Sequence, residues 1–389
     1  MKITAHDPAP DALLLCGVPL AAGFLPADGG LELIAPDGRC LPLWWEARAH
    51  WPDHSAKWLY LHARLSAVAE GAAPLVLELR PGGPSPPERL PPPGGAFELG
   101  PSRLQTTPSG WTFSWQGRRA VVAAGTLAAA LSDAGSGAGV ETEPLLTLAG
   151  AGDLELVEPS PIAPLLRLRS RGEGSLRFDH LIRLDPVRGT AHWQQRLSFA
   201  AAEPVRLRRL SAHLTFPDRG AAAPWQWPGL PQGHPAPRRL TVLRPGRFSL
   251  DGGAEQVGHP GARLEGGGVV VELEKGWQRA PFALAADGPT VALELYPAAA
   301  EPLTVHPGTS FRHSVRLGLS GVPAAPVRWS LEPEAACGSG AFGPLMPRSP
   351  VTRRRYPGYE QAIDACLHGG RLSALEKERG GSRGSAAGL

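Results

Sequence analysis

Lysine is scarce in this chain. Only Lys2, Lys57, Lys275 and Lys377 occur among 39 basic residues, so the positive charge is almost all arginine. The net charge is only +3 over 389 residues. The arginines are scattered along the sequence rather than gathered in a stripe that could track phosphates, which argues against a nucleic-acid partner. Cysteine is equally sparse. Cys16, Cys40, Cys337 and Cys366 stand too far apart for a metal-knuckle pattern. Reduced, mostly buried thiols are therefore expected, as in a cytoplasmic protein. No apolar run approaches the roughly 20 residues of a membrane span, and the first residues lack the apolar region of a signal peptide. No membrane partner is expected. Gly-x-Ser-x-Gly elbows, phosphate loops and dinucleotide fingerprints are missing as well, so no cofactor is expected.

What is abundant is turn chemistry. Gly (48) and Pro (43) approach low-complexity levels, yet 42% of the residues are hydrophobic and alternate in short runs. That combination suits a turn-rich all-β protein rather than disorder. The length allows two or three domains, each with its own core. The frequency of Ala, Gly, Pro and Arg reads as the codon bias of a GC-rich genome.

The densest stretch is 44–58, which holds four of the eleven tryptophans: Trp44, Trp45, Trp51 and Trp58. After a turn, Lys57, Leu59, Leu61, Ala63 and Leu65 share one face of an extended segment, and Trp58, Tyr60, His62 and Arg64 share the other. This period of two predicts a strand. Trp51-Pro52-Asp53-His54-Ser55 supplies the turn: Pro presets its own φ, and the Asp carboxylate accepts from backbone N–H groups ahead of it. A β-hairpin is expected.

The string Trp-Pro-Asp-x-Ser-x-Lys-Trp at 51–58, preceded by Gly17-Val18-Pro19-Leu20 and Gly23, resembles the N-terminal barrel of the exo-rhamnogalacturonan lyase-like (YetA-like) family. Weaker likenesses follow at 275–281, 293–297 and 307–313. The resemblance implies a small RIFT-type β-barrel, then an antiparallel β-sandwich, then a helical α/α toroid. The family has Gly where this chain has His54, which predicts a left-handed backbone at that residue.

Taken in order, short apolar strands are expected at 13–20 and 31–34, then the hairpin, then 75–79. Five or six short strands in the first eighty residues would suit a small closed barrel, which removes sheet edges. Pro81, Pro84, Pro86, Pro87, Pro91, Pro92 and Pro93 cannot sit in a central strand and read as a linker. From 97 onward, strand follows strand: 111–115, 165–169 with alternating Leu and Arg, 177–184, 207–210, 269–274, 290–295 and 311–319. Residues 120–130 fit a helix by propensity and a strand by their neighbours. The expected layout is all-β: barrel over 1–80, Pro-rich linker over 81–96, sandwich over 97–332, and a tail with short helices over 333–389. In the tail, Tyr359, Ala362, Ile363, Cys366 and Leu367 fall at helical spacing. The last residues, 380–389, cannot bury a core and are expected to be dispensable. The toroid that the resemblance implies is missing from the sequence, as in a truncated chain.

The resemblance implies β-elimination on an acidic, pectin-type polysaccharide. Such chemistry needs a base beside the uronate carboxylate and a cation to hold the charge that develops. With the toroid as its main contributor, the chain is expected to be inactive alone, and no catalytic residue is assigned. The alternative is a non-catalytic β module that binds carbohydrate or serves as a scaffold. The tryptophans, Trp58 among them, either stack on sugar rings or pack the barrel and its border with the sandwich. Trp277, Gln278 and Arg279 form the other candidate sugar-contact set, against the alternative of sheet packing; Arg279 suits a bidentate carboxylate contact. Lys57 is read as snorkelling or pairing with Asp53 or Glu46. His50, Asp53 and His54 have metal-ligand chemistry, but the turn removes the shared face a ligand pair needs, so no metal is expected.

Overall fold

The computed structural model describes residues 1–66, 74–83, 89–107, 110–126, 154–171, 176–200, 204–207, 209–220, 223–228, 230, 238–258, 260–274, 280–297, 299–321, 326–343 and 358. They form antiparallel sheets of four, three, ten, seven and two strands, with one short helix, Pro333–Gly338. The all-β expectation holds. Among the described residues no helix is long and apolar enough to cross a membrane.

The N-terminal unit is two facing layers. Arg328–Leu331, Lys2–His6, Leu75–Pro81 and Leu31–Ile34 form the four-stranded sheet, in that order. Ala12–Pro19, Ala56–Leu65 and Leu43–His50 form the three-stranded one. The ladders do not close into the expected barrel. After Leu31–Ile34 the chain doubles back on itself through Ala35 N–H to Arg39 O (2.9 Å) and Leu41 N–H to Leu33 O (2.8 Å). Only an isolated bridge, Ile34 to Cys40, extends that edge. Leu14, Cys16 and Val18 from one layer meet Leu33, Leu77 and Leu79 from the other in a common apolar core. Arg328–Leu331, inside the span read as sandwich, pairs instead with Lys2–His6, so the chain returns to its start after the sandwich.

The hairpin is present. Leu43–His50 pairs with Ala56–Leu65, with Trp45 opposite Leu61 and Glu46 opposite Tyr60. Asp53 Oδ1 accepts from the Ser55 backbone N–H (3.0 Å) and from Ser55 Oγ–H (2.6 Å), as its place in the turn predicts. His54 has φ +65°, the left-handed backbone expected where the family has Gly. Of the two readings of Lys57, the carboxylate pairing is not the one seen: its Nζ lies 4.6 Å over the Trp51 ring, while Glu46 pairs with Arg48 and Arg89. Glu46 is largely buried and already matched by two arginines, so the ammonium rests on the aromatic face beside it.

The sandwich sets the ten-stranded sheet on the seven-stranded one. Trp111 and Phe113 from the first meet Trp193 and Leu197 from the second, and the two indoles cross edge to face at 5.6 Å. Residues 120–130 are strand as far as described: Arg118–Thr126 pairs with Gly110–Trp115 and with Leu210–Thr215. Pairing on both sides, with Ala120 and Val122 in the core, overrides the helical propensity of alanine. The thiols are less uniform than expected: Cys16 is buried, Cys40 exposed and Cys337 half-buried. Burial pushes the Cys16 thiol up to about 12. The helical spacing at 359–367, Cys366 and the segment 380–389 lie outside the described residues.

Strand Ala56–Leu65 is buried on both faces. Leu59, Leu61, Ala63 and Leu65 enter the N-terminal core. On the other face His62 and Arg64 meet the sandwich. Arg64 pairs with Asp185 and also donates to the Asp11 carbonyl (2.9 Å) and the Ile162 carbonyl (3.2 Å). His62 Nε2 stands 3.4 Å from Glu158 Oε2, too poorly aligned for a hydrogen bond, while Arg183 reaches the same carboxylate oxygen at 2.7 Å. Burial pushes the His62 ring below its usual range, opposed by Glu158 and helped by Arg183 and Arg48.

Candidate functional site: an arginine groove

Strands Leu165–Arg171, Leu176–Asp185 and Thr190–Phe199 lie side by side in the seven-stranded sheet. Their alternation sends Leu166, Leu168, Phe178, Ile182, Trp193 and Leu197 into the core. The intervening positions point away from it, and these are Arg167, Arg169, Arg177, Asp179, Arg196 and Ser198. An open groove of about 720 Å³ runs over this outer face. Its wall includes Pro307 and Gly308, a loop tied to the sheet by Gly308 N–H to Phe199 O (2.8 Å) and Phe199 N–H to Thr309 O (3.0 Å). Gly308 has φ +79°, so the tight turn that brings the loop against the strand suits glycine.

Two of the four groove arginines are neutralised. Arg167 donates to Asp179 from Nε (2.7 Å) and Nη2 (2.5 Å), a bidentate fork. Those hydrogen bonds hold the Asp179 carboxyl below its usual range, despite partial burial. Arg169 stands 3.4 Å from Glu155. Arg177 and Arg196 are exposed and have no acidic partner among the described residues. Among the described residues the groove therefore presents unpaired guanidinium donors on a sheet, suited to carboxylate or other oxyanion groups. Its one carboxylate, Asp179, is committed to Arg167.

Of the residues singled out from sequence, Trp58 lies away from the groove. Trp277, Gln278 and Arg279 fall outside the described residues. Trp58 is half-buried and meets Phe342 edge to face at 4.8 Å, away from the groove. Trp44 and Trp45 are buried: Trp45 joins the N-terminal core, and Trp44 packs on His62 at 4.8 Å. Packing accounts for Trp44 and Trp45, while Trp58 keeps part of its surface exposed. Among the described residues no group of three or more His, Cys, Asp or Glu is placed to hold a metal. The signal for the groove was in the sequence, as Leu–Arg alternation at 165–169 and again near 177. Read strand by strand it says only that each outer face is basic; register brings those faces together.

Fold and groove together define an all-β protein with a sandwich whose outer face carries an anion-attracting groove. No protein-family model matches the chain, and no curated protein sequence matches it. Among solved structures, a putative aldose 1-epimerase from Escherichia coli K12 is similar over 59% of this chain and 99% of its own, at 14% identity and a TM-score of 0.34. An α-mannosidase from Enterococcus faecalis V583 is similar over 88% of this chain and 45% of its own, at 11% identity and a TM-score of 0.42. A glycosyl hydrolase family 38 protein from Enterococcus faecalis is similar over 94% of this chain and 46% of its own, at 11% identity and a TM-score of 0.43. The chain spans just under half the length of the two Enterococcus proteins.

Proposed function

We propose that this chain is a carbohydrate-binding β module that holds acidic, pectin-type oligosaccharide in the arginine groove, without lyase activity of its own. The observation that carries this reading is the pair Arg177 and Arg196, exposed beside a groove of about 720 Å³ with no acidic partner among the described residues. A uronate carboxylate accepts two parallel N–H bonds from one guanidinium, which supplies both charge and orientation. The groove volume lies within the ~300–1,000 Å³ of ordinary ligand sites. Elimination would require a base, and the one carboxylate lining the groove, Asp179, is held ionised by Arg167 with its proton affinity lowered. Such a group is a poor proton acceptor. Binding without turnover is the chemistry this arrangement favours, and it agrees with the motif resemblance to the non-toroid part of exo-rhamnogalacturonan lyase-like proteins.

Titration calorimetry with a galacturonate trisaccharide and with a neutral galactose trisaccharide tests the reading. The acidic sugar is expected to bind and the neutral one not, with Arg196→Gln weakening binding at least tenfold. Equal affinity for both sugars, or none for the acidic one, would sink it. Release of unsaturated uronate by the purified chain, abolished by a groove substitution, would overturn the absence of turnover.

A further inference from the structure

Among the described residues, the unpaired positive charge of the groove continues past its wall. Strand Ser310–Gly318 lies next to Thr190–Phe199, and Arg312 stands directly opposite Arg196 in that ladder. Directly opposed residues share a face of the sheet, so both arginines point outward, and both are exposed. One row along, Arg177 stands opposite Ser198 and Ser198 opposite Ser310. Arg177, Arg196 and Arg312 thus occupy two adjacent rows across three strands, with two serine hydroxyls between and beside them.

Other arginines of this outer face have carboxylate partners. Arg183 reaches Glu158, and Arg316 reaches Glu272 (3.3 Å) and also Glu274, which meets His192 at 3.0 Å. Arg167 and Arg169 have their own carboxylates. Arg177, Arg196 and Arg312 have none among the described residues. In this row Arg196 faces Arg312 on one side and Asp179, already held by Arg167, on the other, so an anionic ligand would sit between two like charges. One carboxylate satisfies one guanidinium fork and leaves two cations unanswered.

We infer that the groove counts charges: it selects ligands with two or more carboxylates over those with one, and Arg312 is a specificity-determining residue for that choice. One carboxylate sits on Arg177 and a second bridges Arg196 and Arg312. This inference rests on the acidic-oligosaccharide reading above and narrows it. Exposed charges are screened over about 8–10 Å at physiological salt, so the preference for several carboxylates grows as salt is lowered.

The test is calorimetry on the full chain with galacturonic acid, its di- and trisaccharide, and the fully methyl-esterified trisaccharide, at low and physiological salt. The trisaccharide is expected to bind at least tenfold more tightly than the monosaccharide, and esterification to remove that gain. Arg312→Ser is expected to narrow the ratio of trisaccharide to monosaccharide affinity several-fold with an unchanged melting temperature. Arg103→Ser, an exposed arginine of the other large sheet, is the control and should leave the ratio as it was. Equal binding of mono- and trisaccharide, or an Arg312→Ser variant that keeps the parent ratio, overturns the inference while leaving acidic-sugar binding intact. No binding of any acidic sugar overturns both.

Discussion

Arg64 and Asp185 lie 121 residues apart in the chain and close a two-pronged ion pair, Nη1 to Oδ2 at 3.0 Å and Nη2 to Oδ1 at 2.9 Å. Both are buried, at 6% and 5% exposure, where the N-terminal unit meets the sandwich. The pair is also locked from behind. Asp185 Oδ1 accepts from the Val187 and Arg188 backbone N–H groups at 3.2 Å each. It therefore fixes the Ala56–Leu65 strand against the hairpin that carries the groove's Asp179 and Arg196.

Removing one partner leaves a buried charge uncompensated. Arg64→Met should cost about 3–5 kcal/mol, read as a lower urea midpoint. The double variant Arg64→Met with Asp185→Leu should recover part of that loss. It should not recover all, because the Asp11 and Ile162 carbonyls and the two turn amides still lose their partners. A single variant as stable as the parent would show that the units do not depend on this pair.

Gly189 closes the same turn with φ +59°, and a Cβ there would run into the Trp115 indole. Trp115 cannot easily yield, since its Nε1–H donates to the Pro186 carbonyl at 2.9 Å. Gly189→Ala is expected to destabilise by roughly 2–3 kcal/mol through backbone strain and overpacking. Thermal unfolding measures it, and an unchanged midpoint would mean that the indole moves freely.

His54 lies in the opposite situation. Its φ of +65° costs a non-glycine residue about 1 kcal/mol. Glycine relieves that strain but gains freedom in the unfolded chain, which returns about 0.4–1 kcal/mol. His54→Gly should keep the fold and raise the melting temperature slightly. A clear drop would reveal contacts made by the imidazole.

Two buried histidines are expected to make the protein acid-sensitive. Burial pushes His180 down to about 4, with its Nδ1 accepting from Trp193 Nε1–H at 3.0 Å. It pushes His62 down as well. A histidine whose folded value is depressed favours the folded state above its unfolded value of about 6.5, and that contribution falls as pH drops towards the folded value. Between pH 7 and pH 5, His180 alone should withdraw about 2 kcal/mol. Urea unfolding across that range should show stability falling with acid, and His180→Gln should flatten the slope. A parent protein with equal stability at both ends would contradict the burial argument.

What the sequence determined was local. Period-two alternation and the Gly/Pro turns made the chain all-β, and Trp51–Ser55 specified its turn down to the backbone of His54. These features depend on residues within a few positions of one another, where side-chain sterics and short hydrogen bonds decide. The tertiary structure decided what those strands face. Alternation in 56–65 marks two faces but not that both are buried, one by the N-terminal core and one by the sandwich. The same limit applied to the arginines. Leu–Arg alternation exposes Arg167, Arg169, Arg177 and Arg196 one strand at a time, and only the ladder register sets Arg196 opposite Arg312 and Arg167 within reach of Asp179. Register and layer pairing arise from contacts distant in sequence, and shifting a strand by one residue would turn its arginines to the other face. The barrel expectation failed for the same reason: short strands are local, but whether their edges meet is not.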